Sequence, residues 1–261
     1  WNRRKNYFNF CKNLYSTEEY FEKSKFVIES HFKYIDSFTE DLFTIHEEKA
    51  ILAQGELIST ALFQYYLEES KIDSNLISAL DFMRIDKDLE PDEFYIKQNL
   101  KRELTINSSK IYITQGYICR NVFGEIDNLK RGGSDYTASL IGTAISASEI
   151  EIWTDIDGMH NNDPRVVENT YSIQNLSYDE AAELAYVGAK ILHPASVFPA
   201  KQQNIPIYLK NTMEPNKQGT KIDSSESERE FTAVAAKDNI TAIKIKSGRM
   251  LLAYGFLRKV F

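Results

Sequence analysis

The sequence predicts an α/β fold in which a mainly parallel sheet lies between layers of helices. A small-residue helical stretch from about Tyr136 to Ala147 is followed directly by the hydrophobic strand EIEIWTDI. Helical stretches starting at Ser177 and Pro194 are followed by a second strand, IPIYLKN. Such alternation is typical of βαβ units, whose sheets are covered by helices on both faces. The 261 residues, 43% of them hydrophobic, suffice for one large domain or for one domain and part of another.

The N-terminal part of the chain is predicted to be helical. Ser16 and Glu19 form a capping-box pattern before a helix that runs toward Tyr34. A second helical stretch begins near Thr39, with apolar residues at spacings of three and four. Gly55 interrupts that pattern, which predicts a helix boundary or a close approach of another group to the backbone.

The middle of the chain contains an acidic loop, DKDLEPDE, and then a further helical segment. The run KIYITQGYICR predicts a strand, a glycine turn and further extended chain. The polar stretch 214–230 is expected to be a linker or boundary loop. Beyond it, a ββα-like fragment of about 30 residues is too small to bury its own apolar face, which indicates the opening of a further domain.

Charge and composition argue against several classes of partner. The net charge of −7, from 31 basic and 38 acidic residues, disfavours binding to nucleic acid and to anionic membranes. No apolar run approaches the roughly 20 residues of a spanning helix, and the first ten residues show no signal-peptide pattern. Cys11 and Cys119 form no metal-ligand or disulfide motif, so we expect a cytoplasmic protein without a metal site of its own.

The sharpest local motif is Arg131-Gly132-Gly133-Ser134-Asp135, directly before a helix. Exposed backbone N–H groups, the helix N-terminus and the guanidinium together form a possible anion site. The alternative is a simple turn in which Ser134 or Asp135 caps the helix. The sequence contains no Walker P-loop pattern, so the glycine pair alone does not predict a nucleotide site.

Polar side chains follow the EIEIWTDI strand. Thr154 and Asp155 lie at its carboxyl end, where open α/β sheets collect their ligand-binding groups. His160 and His193 each stand alone in the sequence, and a structural role is the expected one for both.

Three blocks, ILAQGELIST, LKRGGSDYTASLIGTAISASEIEIWTDIDGMHNNDPRVV and YDEAAELAYVGAKILHPASVFPA, agree in order and separation with one family. From about Tyr15 onward the sequence resembles the aspartokinases. The resemblance implies the three-layer amino-acid-kinase fold with a mainly parallel sheet, followed by the start of an α+β ACT regulatory domain. It implies a catalytic domain over 1–222, a linker over 223–230 and a partial ACT domain over 231–261.

The resemblance also implies an amino-acid site. Glu56 matches the family's glutamate for the amino group of aspartate, and Arg131 matches the arginine that holds a substrate carboxylate. Tyr117 stands where phenylalanine is usual. The implied substrate-binding residues are Glu56, Tyr117, Arg131, Gly132, Gly133 and Ser134.

Asp135 is similar to the family's catalytic aspartate, which organises lysine side chains near the transferring phosphate. His160 stands where tyrosine is common among the nucleotide-binding positions. The implied nucleotide-binding residues are Thr154, Asp155, His160, Arg165, Lys190 and Ile191. The resemblance thus implies ATP and Mg²⁺ as cofactors.

The implied reaction is attack of the L-aspartate β-carboxylate on the γ-phosphate of ATP, which gives 4-phospho-L-aspartate for lysine, threonine and methionine biosynthesis. A carboxylate with a reference pKa of about 3.9 is already ionised at neutral pH and needs no general base. Positioning and charge neutralisation are then the expected means of catalysis. The resemblance further implies feedback by lysine or threonine and a homodimer that pairs through ACT domains.

The sequence departs from the aspartokinase pattern in two places. The family opens with a KFGGTS-type strand and glycine loop, which this sequence lacks, so part of an active site is expected to be missing. The family's threonine-rich stretch and glycine before the RGGSD motif are replaced by GEIDNLK, which places Ile126, Asp127, Asn128 and Lys130 there.

Three alternatives remain open at this point. The first is another amino-acid kinase, acting on glutamate, acetylglutamate or a nucleotide. The second is a catalytically silent regulatory subunit that contains ACT domains. The third is the kinase half of a bifunctional aspartokinase and homoserine dehydrogenase.

Overall fold

In the computed structural model the described residues are 2–38, 43–106, 108–130, 132–187, 192–225, 232–236, 241, 244 and 258. Arg131, Lys190 and Ile191 lie outside them, as does most of the segment 231–261 in which an ACT domain is expected. The helices are α1 (Asn2–Leu14), α2 (Glu18–Ser37), α3 (Ile45–Glu69), α4 (Ala79–Phe82), α5 (Glu93–Ile106), α6 (Gly133–Ala144), α7 (Tyr178–Val187) and α8 (Pro194–Gln203). The strands are β1 (Ser74–Leu76), β2 (Ile111–Ile113), β3 (Ile118–Arg120), β4 (Ile126–Asn128), β5 (Ile150–Thr154), β6 (Asn175–Ser177), β7 (Ile207–Asn211) and β8 (Thr220–Asp223).

The strands pair mostly in parallel, as the sequence predicts. The largest sheet has the order β5-β7-β8-β6, in which β5 with β7 and β6 with β8 are parallel. β7 and β8 are antiparallel, because the chain returns directly from one to the other. β1 and β2 form a separate parallel pair, and β3 and β4 form an antiparallel hairpin. The predicted α/β class with a mainly parallel sheet is therefore confirmed.

Helix α6 lies between two hydrophobic cores. One core is formed by the four-stranded sheet with α7 and α8, and the other by α3, α4, α5, α6 and β3. Leu140 of α6 belongs to the second core, whereas Ala138 packs against the first. The small residues of α6 permit this contact on both sides, since a Cβ on Gly142 would lie 2.6 Å from Ile150 Cγ1. The N-terminus of α6 consequently lies where the two cores meet.

The predicted capping box at Ser16 is wrong. Helix α2 begins at Glu18, and the backbone N–H groups of Ser16 and Thr17 donate to the Glu69 carboxylate, at 3.1 and 2.8 Å. A hydrogen bond to a carboxylate is stronger than one to a neutral acceptor. The two N–H groups therefore bind Glu69, at the end of α3, and do not take part in a capping box within α2. The helix start predicted at Ser177 is confirmed, and it has a capping box, because the Ser177 N–H and hydroxyl both donate to Glu180, each at 2.8 Å.

Helix α3 passes through Gly55 without a break. It begins after Thr44, which forms a capping box with Glu47; Thr39, the expected start, lies outside the described residues. Among the described residues, no atom lies within 4 Å of the position of a Cβ on Gly55. Within that part of the chain, neither the predicted helix boundary nor a close approach to the backbone is present, since α3 is continuous from Ile45 to Glu69.

The polar stretch after β7 is not a linker throughout. Its middle forms strand β8, where Thr220 and Ile222 are buried and alternate with partly exposed residues. β8 lies between β6 and β7 in the sheet. The pattern is only four residues long, so the surrounding Ser, Glu and Lys residues conceal it in the sequence.

Cys11 and Cys119 are both buried free thiols. Among the helices of the described residues, none has the length and apolar character needed to cross a lipid bilayer.

Thr220 joins three segments, and its replacement by valine is expected to destabilise the fold. Its buried hydroxyl accepts from the Met159 N–H at 2.9 Å and donates to the Ile173 carbonyl at 2.6 Å. Thr220→Val keeps the shape and leaves both backbone groups unpaired, which should lower the free energy of unfolding by about 2–4 kcal/mol in urea denaturation.

The matched control is Thr105→Val, which removes an exposed hydroxyl bonded within its own helix to the Lys101 carbonyl. It should change the free energy of unfolding by less than about 0.5 kcal/mol. Equal effects of the two substitutions would contradict the role given to Thr220.

Candidate functional site

The glycine loop before α6 has a left-handed backbone. Lys130 has φ +62° and Gly132, the N-cap of α6, has φ +73°. The Gly133 N–H donates to the Lys130 carbonyl at 3.1 Å and closes the turn. A Cβ on Gly132 would lie 2.2 Å from the Cβ of His193, so no other residue fits at that position. The loop therefore packs directly against the start of α8.

The segment Gly116–Tyr117 packs on the first turn of α6 from the other side. A Cβ on Gly133 would lie 2.8 Å from Tyr117 Cδ2, and one on Gly116 would lie 3.1 Å from Ser134 Oγ. The Tyr117 N–H donates to Thr137 Oγ1 at 3.0 Å. The structure thus brings together four of the residues expected to bind substrate, Tyr117, Gly132, Gly133 and Ser134.

Asp135 is a partly buried carboxylate in the first turn of α6. Burial raises the pKa of the Asp135 carboxyl, while the nearby His193 acts in the opposite direction. Within the described residues no donor is hydrogen-bonded to it. The positive end of the helix dipole favours the charged form of Asp135, whereas burial favours the neutral form.

Glu56 lies on α3, and it too is a partly buried carboxylate. Burial raises its pKa, and no described side chain pairs with it. Its charge is among those that, after burial itself, raise the pKa of Tyr117. Glu56 is therefore within electrostatic range of Tyr117, which packs against the first turn of α6.

Thr154 and Asp155 lie at the carboxyl end of β5, as predicted. Thr154 Oγ1 accepts from the Ile156 N–H at 3.0 Å, and the Thr154 carbonyl accepts from the Thr212 N–H at 2.8 Å. These bonds fix the turn after β5, and the Asp155 side chain is left exposed to solvent.

His160 and Arg165 are engaged with local partners. His160 is hydrogen-bonded to Asp157 at 2.8 Å and to Thr170 at 3.0 Å, which supports a structural role. The exposed Arg165 pairs with Asp163 two residues away. In the described part of the chain, no hydrogen bond or ion pair joins the residues after β5 to the group around the glycine loop.

Sequence reasoning assigned no site role to Gly116, Thr137 or His193. His193 caps α8, since its Nδ1 accepts from the Ala195 N–H at 3.3 Å, and it also contacts Gly132. Proline is common at the first position of a helix, so the residue before Pro194 is expected to be the N-cap. The sequence therefore contained enough information to predict the capping role of His193. The contact with Gly132 has no sequence signal, because the two residues are 61 positions apart.

A cavity of about 220 Å³ lies elsewhere, between α5, α6 and α8. None of the predicted site residues lines it. Its lining residues are Glu93, Phe94, Ile96, Lys97, Leu140, Thr143, Ala144 and Gln203. Within the described residues there is also no group of three or more His, Cys, Asp or Glu side chains arranged to hold a metal ion.

Similar proteins identify the family. Lysine-sensitive aspartokinase 3 of Escherichia coli is 36% identical over 216 residues, which are 81% of this chain and 48% of that protein. Chloroplastic aspartokinase 2 of Arabidopsis thaliana is 36% identical over 229 residues, which are 84% of this chain and 42% of that protein. The chain thus spans about half the length of the curated relatives it matches.

Solved structures agree with these relatives. E. coli aspartokinase III in complex with aspartate and ADP has a TM-score of 0.75 and 31% identity, over 82% of this chain and 49% of that one. The same enzyme with lysine and aspartate has a TM-score of 0.64 and 31% identity, over 81% of this chain and 46% of that one. The resemblance to aspartokinases is confirmed. The sequence model of the amino acid kinase family matches residues 14–211, so the chain belongs to the amino acid kinase family.

Proposed function

We propose that the protein is an aspartate kinase, which transfers the γ-phosphate of ATP to the β-carboxylate of L-aspartate. The observation that supports it best is the pair of partly buried carboxylates Glu56 and Asp135, neither of which has a side-chain partner among the described residues. Buried charge without a partner destabilises a fold, and such groups are typical of sites that receive a charged ligand.

Two-point recognition of the amino acid follows from this arrangement. Glu56 accepts from the substrate ammonium, and Arg131, which the family resemblance assigns, pairs with a substrate carboxylate. Gly132 and Ser134 offer backbone N–H groups at the N-terminus of α6, where negative charge is favoured, and Gly133 lines the same site while its own N–H closes the loop on Lys130. Tyr117 packs against Gly133 and limits the size of the site.

Catalysis requires positioning and charge neutralisation, because the attacking carboxylate is already ionised. Asp135 is assigned the role of orienting cationic groups near the transferring phosphate. Nucleotide binding is assigned to the family positions Thr154, Asp155, His160, Arg165, Lys190 and Ile191. Mg²⁺ commonly reaches kinase sites on the phosphates of the nucleotide with only one or two protein carboxylates, and Asp135, which accepts no hydrogen bond from any described residue, suits such an ion.

The remaining assignments follow the aspartokinase relationship. We assign feedback inhibition by lysine or threonine and a homodimer to the complete protein, with an ACT domain that begins near residue 231. A cytoplasmic location suits the two free thiols.

An assay of ADP release on the full-length gene product tests this function. We expect turnover with aspartate and none with glutamate or acetylglutamate, and we expect added lysine or threonine to reduce the rate. Turnover with another acceptor, or no turnover with any of them, would overturn the proposal.

Glu56→Gln should weaken aspartate binding by roughly 10- to 100-fold in isothermal titration, because a charge-assisted hydrogen bond to the ammonium is lost. Glu48→Gln is the matched control, since this exposed carboxylate lies on the same helix and also acts on Tyr117. Unchanged aspartate affinity in Glu56→Gln would contradict the assignment.

The same substitution should stabilise the unliganded protein at neutral pH. Burial raises the pKa of Glu56 above its unfolded value, so its charge destabilises the fold above that value. The thermal midpoint of Glu56→Gln should exceed that of the wild type at pH 7, and the difference should vanish below about pH 4, where the glutamate is neutral in both states. A lower midpoint at pH 7 would show that Glu56 is not an unpaired buried charge.

Asp135→Asn should lower kcat by roughly 10²- to 10³-fold while aspartate and nucleotide still bind, because its charge acts mainly on the transferring phosphate. Asp179→Asn, in the exposed first turn of α7, is the matched control. A wild-type rate in Asp135→Asn would remove Asp135 from the mechanism.

A further inference from the structure

The structure contains a largely buried ion pair between α3 and β4. Lys49 Nζ lies 2.7 Å from Asp127 Oδ2, and the exposed fractions of the two side chains are 24% and 6%. The other carboxylate oxygen of Asp127 accepts from the Asn128 N–H at 2.7 Å. Both oxygens of Asp127 are therefore satisfied, which a buried carboxylate requires.

Asp127 belongs to the GEIDNLK departure from the aspartokinase pattern, where the family usually has threonine. It lies in the middle of β4, directly opposite Cys119 of β3. A buried ion pair is weak evidence for stability by itself, since desolvation offsets much of the attraction. The directional hydrogen bond between Lys49 and Asp127, however, fixes how α3 and β4 lie against each other.

The two partners belong to the elements that present the amino-acid site. Lys49 precedes Glu56 by seven residues, or two helical turns, so both lie on the same face of α3. Asp127 precedes Gly132 by five residues, on the strand that leads into the glycine loop. Tyr117 connects the two elements: its carbonyl accepts from the Leu129 N–H at 2.8 Å, next to β4, and the charges of Asp127 and Glu56 both act to raise its pKa.

A second polar contact between α3 and the β3–β4 hairpin is weaker than the pair formed by Lys49 and Asp127. His46 Nδ1 lies 3.3 Å from Glu125, and both side chains are about half exposed, so water and salt compete with that contact. Lys49 and Asp127 are much less accessible to water, which makes theirs the stronger connection between the two elements.

We propose that Lys49 and Asp127 are positioning residues that set the separation between the Glu56 carboxylate and the glycine loop. The proposal rests on the proposed function, because an amino acid held at its ammonium and at a carboxylate needs those two contacts at a fixed distance. Neither residue is assigned a contact with the substrate.

The test uses Asp127→Asn, Lys49→Met and the double variant of the full-length gene product. Isothermal titration with L-aspartate and with a non-hydrolysable ATP analogue separates the two sites. We expect each single variant to weaken aspartate binding by roughly 10- to 100-fold, since small misplacements of binding groups have effects of that size. The affinity for the ATP analogue should not change.

The double variant should bind aspartate no more weakly than the poorer single variant, because the second substitution removes a charge already left without its partner. Lys49→Arg retains the ion pair and should retain aspartate affinity. Glu151→Gln is the matched control, since it breaks a pair of similar length, Lys210 Nζ to Glu151 at 2.8 Å, on the strands β5 and β7.

Thermal midpoints distinguish positioning from stability alone. A lower midpoint in Asp127→Asn with unchanged aspartate affinity would overturn the proposal, as would additive losses in the double variant. Asp127→Asn is nearly isosteric and serves as the decisive variant if Lys49→Met does not fold. A wild-type protein that fails to bind aspartate would instead overturn the proposed function, and the positioning role with it.

Discussion

The site depends on the close contact of two backbone segments with the N-terminus of α6. Gly133 permits Tyr117 to pack against the first turn of the helix, and Gly132 permits His193 to approach from α8. A side chain at either glycine would overlap these neighbours, so the contacts require the absence of Cβ. The helix N-terminus is thereby held between the two cores, with its backbone donors at the site.

The second feature of this region is a pair of carboxylates that have no side-chain partner among the described residues. Glu56 and Asp135 are both partly buried, and burial raises the pKa of each. Elsewhere in the described residues, buried or half-buried carboxylates such as Asp127 and Asp92 are paired with Lys49 and Arg84. A buried carboxylate without a partner lowers the stability of the fold. The presence of Glu56 and Asp135 here is therefore consistent with a ligand-binding site, where proteins accept such a loss of stability.

The backbone also explains one departure from the aspartokinase pattern. Lys130 lies in the segment where the resemblance to aspartokinases leads us to expect a glycine, and it has φ +62°, a conformation that favours glycine. The Asn128 side chain accepts from the Lys130 N–H at 3.0 Å and supports this turn. Within the GEIDNLK segment a side-chain hydrogen bond thus supports the left-handed turn at Lys130, and the same segment carries the Asp127 carboxylate that pairs with Lys49.

The sequence by itself determined the α/β class and the order α6, β5, α7, α8 and β7, although it missed the short strand β6 between β5 and α7. It also predicted the members of an amino-acid site. These inferences depend on local periodicity and on motifs of adjacent residues. The sequence failed at Ser16, whose donors bind a carboxylate 53 positions away, and at β8, whose four-residue pattern is stabilised by its neighbours in the sheet. Only the tertiary structure decided that His193 contacts Gly132 and that Lys49 pairs with Asp127. Those contacts join distant segments, and each partner taken alone fits a solvated surface position equally well.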